Sequence, residues 1–448
     1  MGFSAGFSRV DITPGMGVDI AGYYKIRKVE GVLDPLEVTC LALELDKTQA
    51  LLMSCDNCGI KQDAIAILKE DICKATGLGP QNVLIGSTHT HTGPTVKQDD
   101  EDSKGLAYFA FLRTKMTEAA KAALADLKPA KAGWGVGKAD SVAFGRRFRM
   151  KDGSIKTNPG IGNPDIAEGI TEVDARVNVL RFDREGAETI VLVNFANHPD
   201  TIGGNLVSAD WPGFLRRTVE RAIPGTKCLF FNGAEGDVNH INVNGKGGYF
   251  NDVKNDFDDV IRGYGHARHM GNYMAGSVLQ VYDKVNYFDP CCLKIAAKTI
   301  QVPSNMPDPS DMPEAKRIND LHLAGKDSEL PYKGMMLTTM VAQAARMVRL
   351  EHGPEFFEMN MTALQLGNIA LVTIPGEAFT GVGAELKKAE GWDLVLPLGL
   401  TNGYEGYFPM QECYDEGGYE ACSSPFKAGV AEQIVEAGKN LLAEVREL

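Results

Sequence analysis

The chain repeatedly places a short apolar run, of the length of a buried strand, before a segment in which apolar residues recur at helical spacing. Residues 49–54, "QALLMS", predict a buried strand. The segment that follows predicts a helix that ends at Gly77 and buries one apolar face, formed by Ala64, Ile65, Leu68 and Ile72. The run "NVLIGS" (82–87) predicts a second strand, so the three segments together predict a β-α-β unit.

The same strand, helix and strand pattern occurs twice more along the chain. The strand "TIVLVNF" (189–195) is followed by a helix that begins near Pro212 and by the strand "KCLFFNG" (227–233). The strand "NIALVTIP" (368–375) is followed by a helix through "GEAFTGVGAELKKAEG" and by the strand "DLVLPLGL" (393–400). Each time, polar and ionisable residues follow the C-terminal end of a strand. Open α/β sheets bind their ligands at that edge, so we expect the functional site there.

The segments between these units carry fewer signals. Residues 96–105, "VKQDDEDSKG", predict an exposed acidic loop, and the Pro-rich, charged residues 303–332 predict an excursion before a helix around 334–350. No repeat period and no low-complexity linker divides the chain. We therefore predict one catalytic domain over residues 1–448, with a possible lid or excursion at 303–350. The predicted fold class is α/β, with mixed β-sheets flanked by helices.

Charge and cysteine content narrow the function classes. A formal net charge of −13 over 448 residues argues against a nucleic-acid partner, because nucleic-acid affinity depends on clustered Lys and Arg. Nine scattered cysteines indicate free thiols in a reducing compartment rather than a disulfide framework. Cys55 and Cys58 have CxxC spacing, but no second CxxC completes a four-sulfur zinc site. We interpret these two as buried or loop thiols.

The N-terminal segment "MGFSAGFSRVDITPG" lacks the basic region and the long apolar core of a secretory signal. No uninterrupted apolar run approaches the roughly 18 residues of a membrane span. We expect a cytoplasmic protein that acts on a small molecule and has no stable association with membranes. The oligomeric state is left open.

The candidate chemistry begins with His89 and His91 in "STHTHTGP", two of only eight histidines. On an extended segment, side chains two residues apart point the same way, so the pair forms either a metal or catalytic site or two hydrogen-bonded loop residues. His198 in "NFANHP" also follows a strand and could equally be structural. Glu377 in "IPGEAFTG" lies at the predicted start of a helix, where the helix dipole alone would stabilise a carboxylate.

Six motifs in this order carry a resemblance that spans almost the entire chain: "STHTHTGP", "NFANHP", "SADWPGF", "NGAEGDVN", "TIPGEAFT" and "NGYEGYFPMQECYDEGGYEA". They resemble the catalytic domain of the neutral/alkaline (non-lysosomal) ceramidase family of zinc amidases. The resemblance implies that one Zn²⁺ is held by His89, His198, Glu377 and Tyr407. Tyr407 is preferred to its rival Tyr404 because it lies twelve residues before a second tyrosine, as in the family.

The resemblance also implies three groups around the reacting centre. His91 is expected to act as a proton shuttle or hydrogen-bond donor, and Arg146 and Tyr419 are expected to hold the substrate and the oxyanion. Arg147 remains a rival for Arg146. A surface ion pair is the alternative for either arginine, because Gly145-Arg146 stands where the family has Asn-Arg.

Three further carboxylates follow the motif strands: Asp210, Glu235 and Asp237. They are candidates for orienting the histidines, and turn-forming or capping roles explain them equally well.

These observations predict a zinc-dependent hydrolase in which a metal-activated water attacks an amide, or an ester, carbonyl. Where the family has a serine in "GDVSPN", this chain reads "GDVNHIN". The chain also ends soon after the last motif, so we expect neither the family's C-terminal immunoglobulin-like domain nor export. A soluble, polar substrate is therefore expected rather than ceramide. The alternatives are a metal-dependent hydrolase of phosphoesters or glycosides, and a non-catalytic binding protein that has kept the fold.

Overall fold

The predicted strands gather into two large sheets in the computed structural model, which describes residues 2–99, 102–243 and 263–448. Two residues of the predicted acidic loop, Asp100 and Glu101, lie outside the described residues. The helices are α1 Gln62–Thr76, α2 Ser103–Ala125, α3 Asp210–Ala222, α4 Tyr264–Tyr282, α5 Met312–Leu323, α6 Gly334–Leu350, α7 Thr380–Leu386, α8 Gln411–Glu416, α9 Tyr419–Ser423 and α10 Val430–Glu447.

The strands are β1 Ser4–Asp11, β2 Asp19–Ile20, β3 Arg27–Lys28, β4 Gly31–Val32, β5 Glu37–Leu45, β6 Thr48–Cys55, β7 Val83–Ser87, β8 Lys128–Lys138, β9 Phe144–Gly145, β10 Arg147–Met150, β11 Ile155–Thr157, β12 Ile166–Gly169, β13 Arg176–Arg184, β14 Thr189–Phe195, β15 Leu206–Val207, β16 Thr226–Asn232, β17 Val238–Asn239, β18 Asn286–Phe288, β19 Leu293–Pro303, β20 Phe356–Leu366, β21 Ile369–Thr373, β22 Glu377–Ala378, β23 Leu394–Leu398 and β24 Tyr407–Phe408.

Both large sheets are mixed. Within the described ranges, one sheet has nine strands in the order β16-β14-β13-β8-β1-β5-β6-β7, with β18 paired to β8. Its β6–β7 and β14–β16 pairs are parallel and the other pairs are antiparallel. The second sheet has the order β19-β20-β21-β23, and only its β21–β23 pair is parallel. The predicted α/β class with mixed sheets and flanking helices is confirmed.

The three parallel pairs are the three predicted β-α-β units. In the first, α1 joins β6 to β7 and buries the four predicted apolar residues. It ends at Gly77, whose φ of 78° is a left-handed conformation that glycine adopts without steric cost. In the second, α3 joins β14 to β16. The structure confirms these elements. Each of them could be predicted because its apolar residues recur at a regular spacing over a short stretch of the chain.

The prediction that Glu377 begins a helix is wrong. Glu377 and Ala378 form β22, which pairs in parallel with β24, and α7 begins only at Thr380. The backbone hydrogen bonds of this segment go to a strand about thirty residues later in the chain, so a local pattern could not reveal them.

The two sheets pack face to face, and helices cover their outer faces. Leu52 and Leu192 of the large sheet share one buried cluster with Leu364 and Leu396 of the four-stranded sheet. Because side chains alternate along a strand, the neighbouring Leu51 points the other way and joins the cluster under α1 and α2. Helices α3 and α4 cover the other part of the large sheet, and α10 covers the second sheet.

The segment at 303–350 contains α5 and α6, which pack against each other around their own small apolar cluster. Helix α6 matches the helix predicted around 334–350. The division into one domain with a lid at 303–350 stays a prediction. Across the part of the chain described here, no helix combines the length and the apolarity that a bilayer span requires.

Candidate metal centre

Three ligand-type side chains meet where parallel strands end. His89 lies two residues after β7, His198 lies three residues after β14, and Glu377 follows β21 and starts β22. All three are buried, with exposed fractions of 1%. One ligand atom from each lies within 4.8 Å of the others. The carboxyl edge of the sheets therefore brings together three of the four residues that the resemblance implied as metal ligands.

Backbone carbonyl groups orient both imidazoles. Nδ1 of His89 is hydrogen-bonded to the carbonyl oxygen of Cys58, and Nδ1 of His198 lies 2.9 Å from the carbonyl oxygens of Glu235 and Val238. Because a carbonyl oxygen can only accept, each Nδ1 carries a proton. Each Nε2 is therefore the nitrogen whose lone pair is left for a cation at the centre of the group, a proton or a metal, which is the arrangement of metal-binding histidines.

The Glu377 carboxylate lies between these two lone pairs. Its Oε2 is 3.0 Å from Nε2 of His198 and 3.4 Å from Nε2 of His89. Burial alone would raise the pKa of Glu377, but the neighbouring His89 outweighs it and holds that pKa well below its usual range. Burial likewise opposes a charged His89, yet nearby anionic groups raise its pKa well above the ordinary value. The centre of the group therefore favours positive charge, as a proton or as a metal cation.

His89 is not on an extended segment, so the reason given for the HxH pair is wrong although the two rings do meet. Its φ of 76° is left-handed, a conformation that histidine adopts more often than most residues. The N–H of His89 donates to the carbonyl of Asn57 at 2.9 Å, and that of His91 donates to Pro199 at 3.1 Å. This turn brings Nε2 of His91 to 3.3 Å from Nε2 of His89.

The β22–β24 pairing supports Tyr407 over Tyr404 as the phenol of the group. In its register Glu377 stands opposite Tyr407. Burial and the neighbouring Glu377 carboxylate raise the pKa of the Tyr407 phenol. The ring of Tyr404 lies 5.9 Å from the His89 ring, on the wall of the cavity beside the group.

Arg146 points into the group and Arg147 points away from it. Nη1 of Arg146 is 3.3 Å from Nε2 of His198, and its Nη2 donates to the Tyr407 hydroxyl at 3.1 Å. Nη2 of Arg147 instead donates to Glu416 at 2.9 Å. Consecutive residues of an extended chain face opposite sides, so only one of the two arginines can reach the site.

Two acidic residues that were not predicted from the sequence lie next to Arg146 and His91. The buried Glu420 carboxylate accepts from Nε of Arg146 at 2.6 Å and from the Thr157 hydroxyl at 2.8 Å. Oδ1 of Asp200 lies 3.6 Å from Nδ1 of His91. Both could have been found, because each directly follows a motif residue in "HPD" and "YE".

Of the three carboxylates proposed to orient histidines, Asp210 and Asp237 bind backbone N–H groups instead. Asp210 accepts two backbone N–H groups of the loop after His198, each at 2.9 Å. Asp237 accepts the backbone N–H of Thr380 at 2.8 Å, at the start of α7. The buried carboxylate of Glu235 has no hydrogen-bond partner among the described residues, and burial raises its pKa well above the usual value. The turn-forming and capping alternatives therefore hold for Asp210 and Asp237.

The CxxC pair supplies one contact to the group. Cys58 contributes its carbonyl oxygen, and its Sγ lies 3.7 Å from Nδ1 of His89. Cys55 is buried in β6, and both thiols are free. Cys58 also belongs, with His89 and His91, to a group whose ligand atoms lie within 4.8 Å of one another, so the interpretation of the pair as buried or loop thiols stays a prediction.

Comparison with solved structures identifies the fold. The crystal structure of the neutral ceramidase from Pseudomonas aeruginosa superposes with a TM-score of 0.74 and 16% sequence identity, over 100% of this chain and 75% of that one. The chain has the neutral ceramidase fold. A structure described as ceramidase complexed with C2 gives a TM-score of 0.72 and 15% identity, over 100% of this chain and 76% of that one. The chain matches no model of a known protein family, and no curated protein sequence matches it.

The ceramidase resemblance that the motifs indicated is thus confirmed at the level of the fold. At these identities the likeness carries the architecture, while the chemistry has to be argued from the residues of this chain.

Proposed function

We propose that this protein is a zinc-dependent hydrolase of an amide bond, and that His89, His198, Glu377 and Tyr407 hold the metal. The observation that carries the proposal is the convergence of two imidazole nitrogens and one carboxylate oxygen within 4.8 Å. Nitrogen and oxygen donors of this kind suit Zn²⁺, and carbonyl groups already fix the tautomer of both rings. The donor set therefore fits the metal.

When bound, the metal supplies a Lewis acid that polarises a carbonyl and lowers the pKa of water. The chain's own residues bind and orient the substrate around it. Nε2 of His91, 3.3 Å from Nε2 of His89, is the atom that takes and delivers the proton of the attacking water. Oδ1 of Asp200 lies 3.6 Å from Nδ1 of His91, beyond hydrogen-bond distance, so the Asp200 carboxylate acts on that ring through its charge.

Arg146 and Tyr419 complete the site as donors to the developing oxyanion. The Arg146 guanidinium is fixed by Glu420 through Nε, so its Nη groups face the metal ligands. The Tyr419 ring stacks edge-on against Tyr407 at 5.6 Å, and its hydroxyl lies 3.5 Å from that of Tyr24. Donors fixed before the reaction lower the barrier most, because they need no reorganisation when charge develops.

Metal content and amide cleavage test the proposal together. Protein purified without chelator is expected to contain about one zinc per chain and to release amine from N-acyl compounds. A chelator should stop the release, and added zinc should restore it. Absence of a bound transition metal would favour the non-catalytic binding protein. Bound metal with cleavage only of phosphoesters or glycosides would favour the other hydrolase.

The substrate class is tested on the same preparation. We expect short, polar N-acyl amino acids and N-acyl sugars to be cleaved with a higher kcat/KM than long-chain ceramide. If ceramide in detergent is the best substrate of the panel, the assignment to polar substrates is wrong.

Replacing Tyr419 by Phe should lower kcat by roughly 10²- to 10³-fold, the usual effect of losing one oxyanion donor. Metal content should not change, because Tyr419 is not one of the proposed ligands. The matched control is Tyr414→Phe, whose hydroxyl bonds Ser424 and the carbonyl of Phe426 away from the metal group. Full activity of the Tyr419 variant would remove the residue from the mechanism.

A further inference from the structure

A cavity of about 340 Å³ opens directly beside the metal group. Glu377, Tyr407 and Tyr419 line one side of it. Helix α6 also lines it and contributes Arg346 and Arg349. A substrate that fills this cavity beside the metal group therefore lies next to two arginines.

Arg346 is a buried cation with no carboxylate partner among the described residues. The residue is only 8% exposed. Nη1 donates to the carbonyl of Asn305 at 2.7 Å, and Nε has no hydrogen-bond partner among the described residues. Burial lowers its pKa, because removing a charged guanidinium from water is unfavourable. A buried cation with no counter-ion is costly, and a bound anion would offset that cost.

Two more cations face the same cavity. Arg349 lies one helical turn beyond Arg346 and is exposed, and Lys61 lies just before α1 on another wall. Neither forms an ion pair with a described carboxylate. Other arginines of the chain do: Arg146 pairs with Glu420, and Arg113 pairs with Asp71.

In the described part of the chain, one carboxylate besides that of the metal group faces the three cations of the cavity. Glu405 lines the wall, where its Oε1 accepts the backbone N–H of Gln62 at 2.8 Å and the charges of Lys61 and Arg349 act on it. Glu377 belongs to the metal group. The wall that carries Arg346, Arg349 and Lys61 therefore has an excess of positive charge, although the whole chain carries a net charge of −13.

From this geometry we infer that the substrate is a compact amide that carries a carboxylate, and that Arg346 and Arg349 bind this carboxylate. The inference rests on the proposed amide hydrolysis at the metal group. Guanidinium groups match carboxylates with paired hydrogen bonds, so two of them select a charged group over a neutral one of equal size. The cavity is at the small end of the roughly 300–1,000 Å³ typical of small-molecule sites, which suits a compact substrate.

The test uses two compounds that differ only in charge, N-hexanoylglycine and N-hexanoylglycinamide. The zinc-loaded protein should prefer the acid through a lower KM. Arg349→Gln should reduce this preference by tenfold or more, through a higher KM for the acid. Lys333→Gln is the matched control, because it removes an exposed cation next to the start of α6 that does not line the cavity. It should keep the full preference.

Binding separates this inference from the proposed reaction. Calorimetry with the same two compounds should show tighter binding of the acid, and Arg349→Gln should abolish the difference. If neither compound is hydrolysed, the proposed reaction is contradicted, and the binding difference still decides the inference. Equal binding of acid and amide to the unaltered protein would overturn it, and so would equal effects of Arg349→Gln and Lys333→Gln.

Discussion

Replacing Glu377 by Gln is expected to weaken zinc binding by more than about 100-fold and to abolish amide cleavage. Loss of a group that merely orients a ligand typically costs 10- to 100-fold in metal affinity, so loss of a ligand should cost more. The side chain of Gln is neutral, so the variant also loses the only negative charge between His89 and His198 in the described group. Zinc content after dialysis and competition with a fluorescent chelator measure the change.

Glu405→Gln is the control for this experiment. Glu405 lines the same cavity but takes its hydrogen bond from the backbone of Gln62, so its loss should leave zinc affinity unchanged. Circular dichroism checks that both variants are folded. Zinc bound to the Glu377 variant with unaltered affinity would take this residue off the ligand list.

Replacing Glu420 by Gln should lower the free energy of unfolding by about 3–5 kcal/mol, the usual cost of removing one partner of a buried ion pair. Glu420 is fully buried, and its Oε1 lies 2.6 Å from Nε of Arg146. Burial opposes the charge on Arg146, but the neighbouring oxygens of Tyr407 and Glu420 outweigh it and raise the pKa of Arg146 well above the usual value. The guanidinium therefore stays charged and loses its main partner. Urea denaturation measures the difference.

The adjacent pair supplies the comparison. Arg147 and Glu416 lie 2.9 Å apart, but the Glu416 side chain is 26% exposed. Glu416→Gln should therefore cost less than Glu420→Gln, because solvent reaches the Glu416 end of the pair although Arg147 is buried. The Glu420 variant should also lose turnover, because Arg146 is no longer held against His198 and Tyr407. Equal stability losses in the two variants would show that the buried pair has no special role.

The sequence by itself determined the elements that short-range periods define. The strands β6, β7 and β14 and the helix α1 follow from runs of apolar residues and from Gly77 as a helix end. It also indicated that the chemistry lies after strand ends, because a sheet presents its loops at that edge. This placement made His89, His198 and Glu377 candidates, and the resemblance of the motifs to the ceramidase family implied that they are metal ligands.

Only the tertiary structure decided the details that depend on distant partners. Glu377 is in a strand rather than a helix because it pairs with Tyr407. His89 adopts a left-handed turn that its neighbours in the sequence do not require. The choice of Arg146 over Arg147 follows from which face of the extended chain meets Glu420, a residue 274 positions away.

The positive charge of the cavity wall is the feature that local sequence patterns predict least. Arg346 and Arg349 look like ordinary residues near the end of a helix, where cations are favoured anyway. Their proposed role in substrate binding depends on the packing of α6 beside the metal group and on the lack of a carboxylate partner among the described residues. Local periodicity specifies elements because it acts between residues close in the chain. Charge balance in a cavity is a sum over residues from the whole chain, so only the folded structure can reveal it.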